Sequence, residues 1–240
     1  MVAAVPGVSR RERARAATIA EIKQTALDLM REQGTTDVRF TDIARVMGMT
    51  APALYRYYAD RDELLTDLIT DGFRYLGEQI ARARDKIDAA DVGGRWLAVA
   101  SAYRDWARSE PQQFALVLGM PVPGYVAPDE GPTTEAAKGA MAQLAELFVY
   151  AAHTGVLRRP LVRDVSAAIV VCEQEKHPEL EGIIPPETFQ AMLQAWASLH
   201  GFTSLEAHGH LDWIDAEARE QLFRSHVRMA AEAAGIPAPA

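Results

Sequence analysis

Residues 41–65 read TDIARVMGMTAPALYRYYADRDELL, and the spacing of caps, breaks and apolar positions in this stretch decides the fold class. Thr41 can cap a short helix carrying Ile43, Ala44 and Met47, with Asp42 in the first turn, where the helix dipole favours negative charge. Gly48 stops that helix, because glycine enters the left-handed conformation of a helix C-terminus without a Cβ penalty. Met49 plugs the turn. Thr50 can then cap a second helix over residues 50–58, where Pro52 is tolerated because first-turn amides have no partner inside the helix. Leu54 and Tyr58, four apart, face inward, and Ala44 is small enough for the two helices to cross closely. Ala51, Pro52, Tyr55, Arg56 and Tyr57 are left facing out. Small residues at the leading end let the backbone approach base edges, while tyrosine and arginine offer phosphate, base-edge and thymine-methyl contacts. Asp60 and Glu63 then have capping-box spacing for a third helix, beside Arg61. The pattern is a helix-turn-helix with an outward Tyr-Arg-Tyr surface.

The stretch resembles the DNA-binding domain of the TetR family of bacterial one-component transcription regulators. Ile43-Ala44, Gly48-Met49, Leu54-Tyr55, Tyr57-Tyr58 and the run from Asp60 to Leu65 carry the resemblance; Tyr58 stands where the family usually has Phe, and Arg61 where it usually has Lys. The resemblance implies base or backbone contacts from Ala51, Pro52, Tyr55, Arg56 and Tyr57, with Thr41, Thr50 and Arg61 nearer the phosphates. An ordinary helical hairpin with solvated tyrosines is the structural alternative, and it leaves the surface Tyr-Arg-Tyr cluster unexplained.

Composition is that of an ordinary soluble globular protein. The 240 residues are 49% hydrophobic and 24% charged, ordinary values for one large or two small globular domains. The net charge of -8 divides unevenly: residues 1–60 hold nine Lys and Arg against seven Asp and Glu, and residues 61–240 hold sixteen against twenty-six. Arg10, Arg11, Arg13 and Arg15 crowd the positive end, where they can neutralise phosphates or simply remain solvated. Cys172 is the single cysteine, which excludes an intramolecular disulfide, and it reads as a small core residue on an apolar helix face. No run is long enough to span a membrane, and residues 1–8 are too short an apolar stretch for a signal peptide, so a cytoplasmic location is expected.

Outward from the motif, periodicity predicts helices throughout. A first helix from about Arg11 carries Ile19, Ile22, Ala26, Leu29 and Met30 and ends at Gly34, bracing a three-helix head over residues 1–60. The helix begun at Asp60 repeats Leu64, Leu68, Gly72 or Phe73, Leu76 and Ile80 and runs to about Ala90, roughly 45 Å. Residues 91–94 break it. The next helix shows Trp96, Val99, Tyr103 and Trp106, and a short one after Pro111 bears Phe114, Leu116 and Val117. Residues 119–132 hold four prolines and read as an irregular loop. Thr133 or Thr134 caps a helix with Met141, Leu144 and Phe148, and another follows Pro160, with Val165, Ile169 and Cys172. The apolar run at 168–172 also fits a strand, but no second strand exists to pair with it. Two last helices carry Phe189, Met192, Trp196 and His200, and then Leu222, His226 and Met229. The fold class is all-α, with a helical ligand-binding and dimerisation bundle over residues 61–240.

The final helices resemble the dimerisation helices of TetR regulators, which implies a homodimer contact through Phe189, Met192, Trp196, His200, Leu222 and Met229. Trp196, His200 and Gly201 match the Trp-x-x-x-His-Gly signature of one C-terminal subgroup, and Tyr103-Arg104 through Pro111 and Phe114 fit it too; Gly201 reads as admitting a neighbouring helix closely. The resemblance also implies a regulatory cavity among Trp96, Tyr103, Trp106, Phe114, Tyr125 and Phe148, with Tyr103, Arg104 and His153 as polar groups, holding a small hydrophobic effector that is uncharged or weakly acidic. Core packing would use the same aromatics. No nucleophile, acid-base pair, metal cluster or phosphate loop stands at a working spacing, so no catalytic residue, metal or cofactor is expected. The partners expected are a double-stranded DNA operator, a small-molecule effector and a second copy of the chain, without a membrane. A repressor binding a palindromic operator as a homodimer is the leading expectation. A helical protein-interaction module or adaptor is the alternative, and a small all-α enzyme using the histidines a third.

Overall fold

Ser9 opens the first helix with a reciprocal cap: its hydroxyl accepts from the Glu12 amide at 3.2 Å, and the Glu12 carboxylate accepts from the Ser9 amide at 2.7 Å. This helix, α1 (Arg10–Gln33), ends at Gly34 with φ 65°. The computed structural model describes residues 9–119, 122–126 and 130–239. After α1 come α2 (Phe40–Val46), α3 (Ala51–Leu54), α4 (Arg61–Asp85), α5 (Val92–Ser109), α6 (Pro111–Leu118), α7 (Pro132–His153), α8 (Ala167–Lys176), a short 3-10 turn (Pro178–Leu180), α9 (Pro186–Ala207) and α10 (Ala216–Ala234). No strand occurs among the described residues, and none of their helices is long and apolar enough to cross a membrane.

The chain packs as two compact units, Met1–Gly72 with Pro111–Thr134, and Phe73–Glu110 with Glu135–Ala240. The boundary does not follow chain order, since α6 and the residues after it join the first unit. Its core is Ile22, Ala26 and Met30 of α1, Ile43 and Ala44 of α2, Leu54 of α3 and Leu64, Leu65 and Leu68 of α4. In the second unit α9 and α10 form a hairpin, and α5 packs against both. Trp96 is fully buried there and donates to the Val227 carbonyl at 2.8 Å.

Several boundaries differ from expectation for identifiable reasons. Thr41 does not cap α2; the amides of Asp42 and Ile43 both donate to the Arg39 carbonyl, so the helix starts at Phe40. α4 stops at Asp85, about 37 Å long. Gly93 and Gly94 lie inside α5 rather than before it, because the Asp91 carboxylate accepts from the Gly94 amide at 2.8 Å and starts the helix. The helix expected after Pro160 begins only at Ala167, capped by Ser166; the amides of Arg158 and Leu161 instead donate to the carbonyls of Gly235 and Ala233 at the end of α10. Cys172 is exposed, because α8 turns Glu173 inward and not the cysteine. Residues 122–126 and 130–131 of the proline-rich stretch are irregular, as expected; Pro121 and Pro128, and the apolar residues 1–8, lie outside the described residues.

Candidate nucleic-acid interface

The turn between α2 and α3 is built by hydrogen bonds that glycine permits. Gly48 sits at φ 64°, its amide bonds the Arg45 carbonyl at 3.3 Å, and the Met49 amide reaches back to the Ala44 carbonyl at 2.8 Å. This is the Schellman closure of a helix C-terminus. Thr50 stands at the N-cap of α3 but its hydroxyl makes no capping bond. α3 is regular only to Leu54; residues 55–57 continue as a turn in which the amides of Tyr57 and Tyr58 both bond the Leu54 carbonyl. The recognition segment is therefore one helical turn plus a second, looser one, in place of the continuous 50–58 helix.

Two side chains anchor it from below. Leu54 is buried against α2, and Tyr58 is buried with its hydroxyl donating to Asp67 Oδ2 at 2.6 Å. Burial, reinforced by that carboxylate, pushes the Tyr58 phenol well above its usual range, so it stays a donor. Lys23 of α1 reaches the same Asp67 at 3.3 Å and Asp71 at 2.5 Å. Its burial alone would lower its pKa, and the two carboxylates outweigh that and hold it above the ordinary value. α1, the recognition segment and α4 thus share one polar fastening.

What remains outside is the set expected to touch DNA. Thr41, Thr50, Pro52, Tyr55 and Arg56 are exposed, and Ala51 and Tyr57 are half-buried. Tyr55 keeps 57% of its surface open while its ring leans on Phe40, centroids 5.3 Å apart. Arg15 of α1 donates to the Arg56 carbonyl at 2.8 Å and lies over the Tyr57 ring. Arg61 also has partners within the unit: its guanidinium is held by Asp37 at 2.8 Å and by the carbonyls of Val38 and Pro123, so it braces the segment before α2.

The expected effector residues are divided between the two units. Trp96, Tyr103, Trp106 and Phe148 are buried in the second unit, Phe114 and half-buried Tyr125 belong to the first, and His153 is exposed at the end of α7. Tyr125 bonds Thr66 at 3.0 Å. A cavity of about 290 Å3 opens beside α10, but it is lined by Leu97, Gln221, Arg224, Ser225, Arg228 and Pro239, none of them from the aromatic set. A polar cluster does form around the Trp-His pair: Trp196 stacks on His200 at 5.7 Å, and His200 Nδ1 meets the Tyr103 hydroxyl at 2.7 Å. Trp196 Nε1 is buried without a hydrogen-bond partner among the described residues.

Of the expected dimer residues, Phe189 and Met192 are buried within their own chain. Trp196 and His200 are half-buried, and Leu222 and Met229 are exposed. A Cβ on Gly201 would meet nothing within 4 Å, so within the chain this glycine admits no close helix.

Sequence reasoning missed the strongest electrostatic feature. Arg104, buried in α5, forks onto both oxygens of Glu206 at 2.6 and 2.7 Å, reaches Glu220 at 2.6 Å and covers the Phe223 ring at 4.2 Å. Burial alone would raise the Glu206 carboxyl; the bonds from Arg104 outweigh it and hold it below the usual carboxylate range. The Tyr103-Arg104 pair of the C-terminal pattern was its only sequence signal.

A family model described as bacterial regulatory proteins of the tetR family matches residues 22–68, and one described as a tetracyclin repressor-like C-terminal domain matches residues 96–230. HTH-type transcriptional regulator Rv1816 of Mycobacterium tuberculosis (strain ATCC 25618 / H37Rv) is 32% identical over 203 residues, 84% of this chain and 86% of that one. The solved structure of SCO4313 is 31% identical with a TM-score of 0.72, covering 92% of this chain and 98% of that chain. PfmR of Thermus thermophilus, at 15% identity and TM-score 0.54, shares the fold over 87% of this chain and 96% of its own.

Proposed function

Since the chain belongs to the TetR family of bacterial transcription regulators, we propose that this DNA-binding regulator works as a cytoplasmic homodimeric repressor that reads a palindromic operator and is released by a small effector. Residues 1–60 form the reading head, and residues 61–240 bind effector and partner. The single observation that carries the reading is the exposed Tyr55-Arg56 pair on a segment fastened from beneath by Leu54 and Tyr58. A symmetric pair of chains presents two such segments to successive major-groove faces, with half-sites about 34 Å apart or a small multiple of that.

The effector is a small, largely hydrophobic molecule, uncharged or weakly acidic. Support comes from the Tyr103-His200 pair and from the unpartnered Trp196 Nε1, a buried donor that an acceptor on a ligand would satisfy. Release follows if the effector prefers the chain's unbound conformation, since only differential affinity shifts the equilibrium.

The test is a gel-shift titration on fragments selected from genomic DNA by the protein itself. Tyr55→Ala and Arg56→Ala each weaken binding by about tenfold or more while leaving the mass in solution unchanged. If both variants bind as the unaltered chain does, the contact assignment is wrong. A log affinity independent of log salt points instead to a protein-interaction module. In a thermal-shift screen, stabilisation by highly charged metabolites alone would exclude the effector class named here.

A further inference from the structure

Arg15 stands apart from its neighbours in the basic start of α1. The side chains of Arg10, Arg11 and Arg13 form no hydrogen bond or ion pair among the described residues. Arg15, in step with Ile22 and Ala26 on the buried face, turns toward the recognition segment, where its Nη1 donates to the Arg56 carbonyl at 2.8 Å and its guanidinium carbon lies 5.2 Å from the centre of the Tyr57 ring. That carbonyl is one a longer helix would give to the amide of residue 60. Because α3 ends at Leu54, the acceptor is left open to a partner from elsewhere. Thr50 adds no side-chain cap at the other end, and the backbone bonds inside the segment leave the Arg56 carbonyl to Arg15.

We infer that Arg15 is a positioning residue for DNA recognition: from α1 it clamps the peptide between Arg56 and Tyr57, by one hydrogen bond and one ring contact, and so aims the Tyr55-Arg56 surface instead of neutralising a phosphate itself. The inference rests on the DNA-binding reading above. The guanidinium suits this task because its planar fork donates in one direction while its face lies on an aromatic ring; an ammonium cannot do both in one geometry.

The experiment uses the full chain and a DNA fragment that the unaltered chain has selected. Arg15→Ala weakens binding about tenfold, Arg15→Lys does not restore it, and the slope of log affinity against log salt stays that of the unaltered chain in both variants. Without DNA, the amides of residues 57 and 58 exchange faster in Arg15→Ala, and Tyr57→Ala reproduces most of the loss with little further effect when the two are combined. A phosphate contact would behave differently: the slope would fall by about one and lysine would rescue. That result, or an Arg15→Ala chain binding as tightly as the unaltered one, overturns the inference while leaving DNA binding intact. An unaltered chain that selects no fragment removes the underlying reading and this inference with it.

Discussion

Arg104 and Glu206 lie 102 positions apart in the chain and meet in the core of the second unit, each side chain only 5% exposed. A pair so enclosed contributes little over a well-packed apolar substitute, yet removing one member strands the other's charge. Arg104→Ala should therefore lower the unfolding free energy by about 3 kcal/mol. Arg104→Lys should recover only part of it, because an ammonium cannot meet both carboxylate oxygens in the same fork. Urea unfolding of the two variants reads the difference. His200 carries a second, titrating consequence. Burial, with His208 behind it, holds His200 below its ordinary value, and a neutral ring can accept the Tyr103 hydroxyl at Nδ1. The unfolded chain then takes up the proton first, so between the ordinary histidine value of about 6.5 and the lower folded value it binds more protons than the native state, and stability rises with pH. The contribution is complete above about pH 6.5 and is lost as pH falls toward the folded value. His200→Gln should flatten the decline of the urea midpoint between pH 7 and pH 5; an unaltered decline would show that another group governs it.

At the scale of elements, the same substitution has opposite outcomes just past the end of one helix and inside another. Gly48 has open space around it but a φ of 64°, so Gly48→Ala meets no clash and still costs about 1 kcal/mol in the left-handed region. Gly139 has equally open space inside α7 with ordinary helical backbone, and Gly139→Ala should stabilise by about 0.5–1 kcal/mol. Thermal melts of the two variants should move in opposite directions. The contrast marks what a sequence discloses. Gly48, Leu54 and the inward face of Tyr58 were legible because spacing within one or two turns sets them, whereas the Tyr58 bond to Asp67 in α4 was not. Arg61 was not, since it is held by Asp37 and the Pro123 carbonyl, the latter 62 positions away. Nor was the Arg104 fork, which joins three helices. In α8, ten residues with a continuous apolar run leave the rotational phase undefined, so the helix itself was legible while the choice between Cys172 and Glu173 as the inward residue was not.

At the scale of the whole molecule the question is what covers the outer face of α9 and α10. On α9, Leu193, Ala197, Gly201 and Leu205 recur every fourth residue; the two leucines are 39% and 47% exposed, and the glycine faces open space. On α10, Leu222 and Met229 keep 44% and 54% of their surface. A stripe of large residues flanking small ones lets a second helix approach closely, and a two-fold axis would bring the same stripe from another chain to close a four-helix contact. The interface is then narrower than first expected and lacks Phe189 and Met192, which their own chain encloses. Leu193→Asp combined with Leu222→Asp should leave the fold intact, because both positions are exposed, and should shift the mass in solution to that of one chain. Operator affinity should fall with it, by about 100-fold or more, since two linked heads gain over one by effective concentration alone. The comparison with Tyr55→Ala decides the origin of any loss: that variant should bind DNA weakly while keeping the mass of two chains, whereas the double aspartate should lose both together. A double aspartate that stayed dimeric would move the interface to another face, and one that became monomeric with undiminished affinity would make the reading head sufficient by itself.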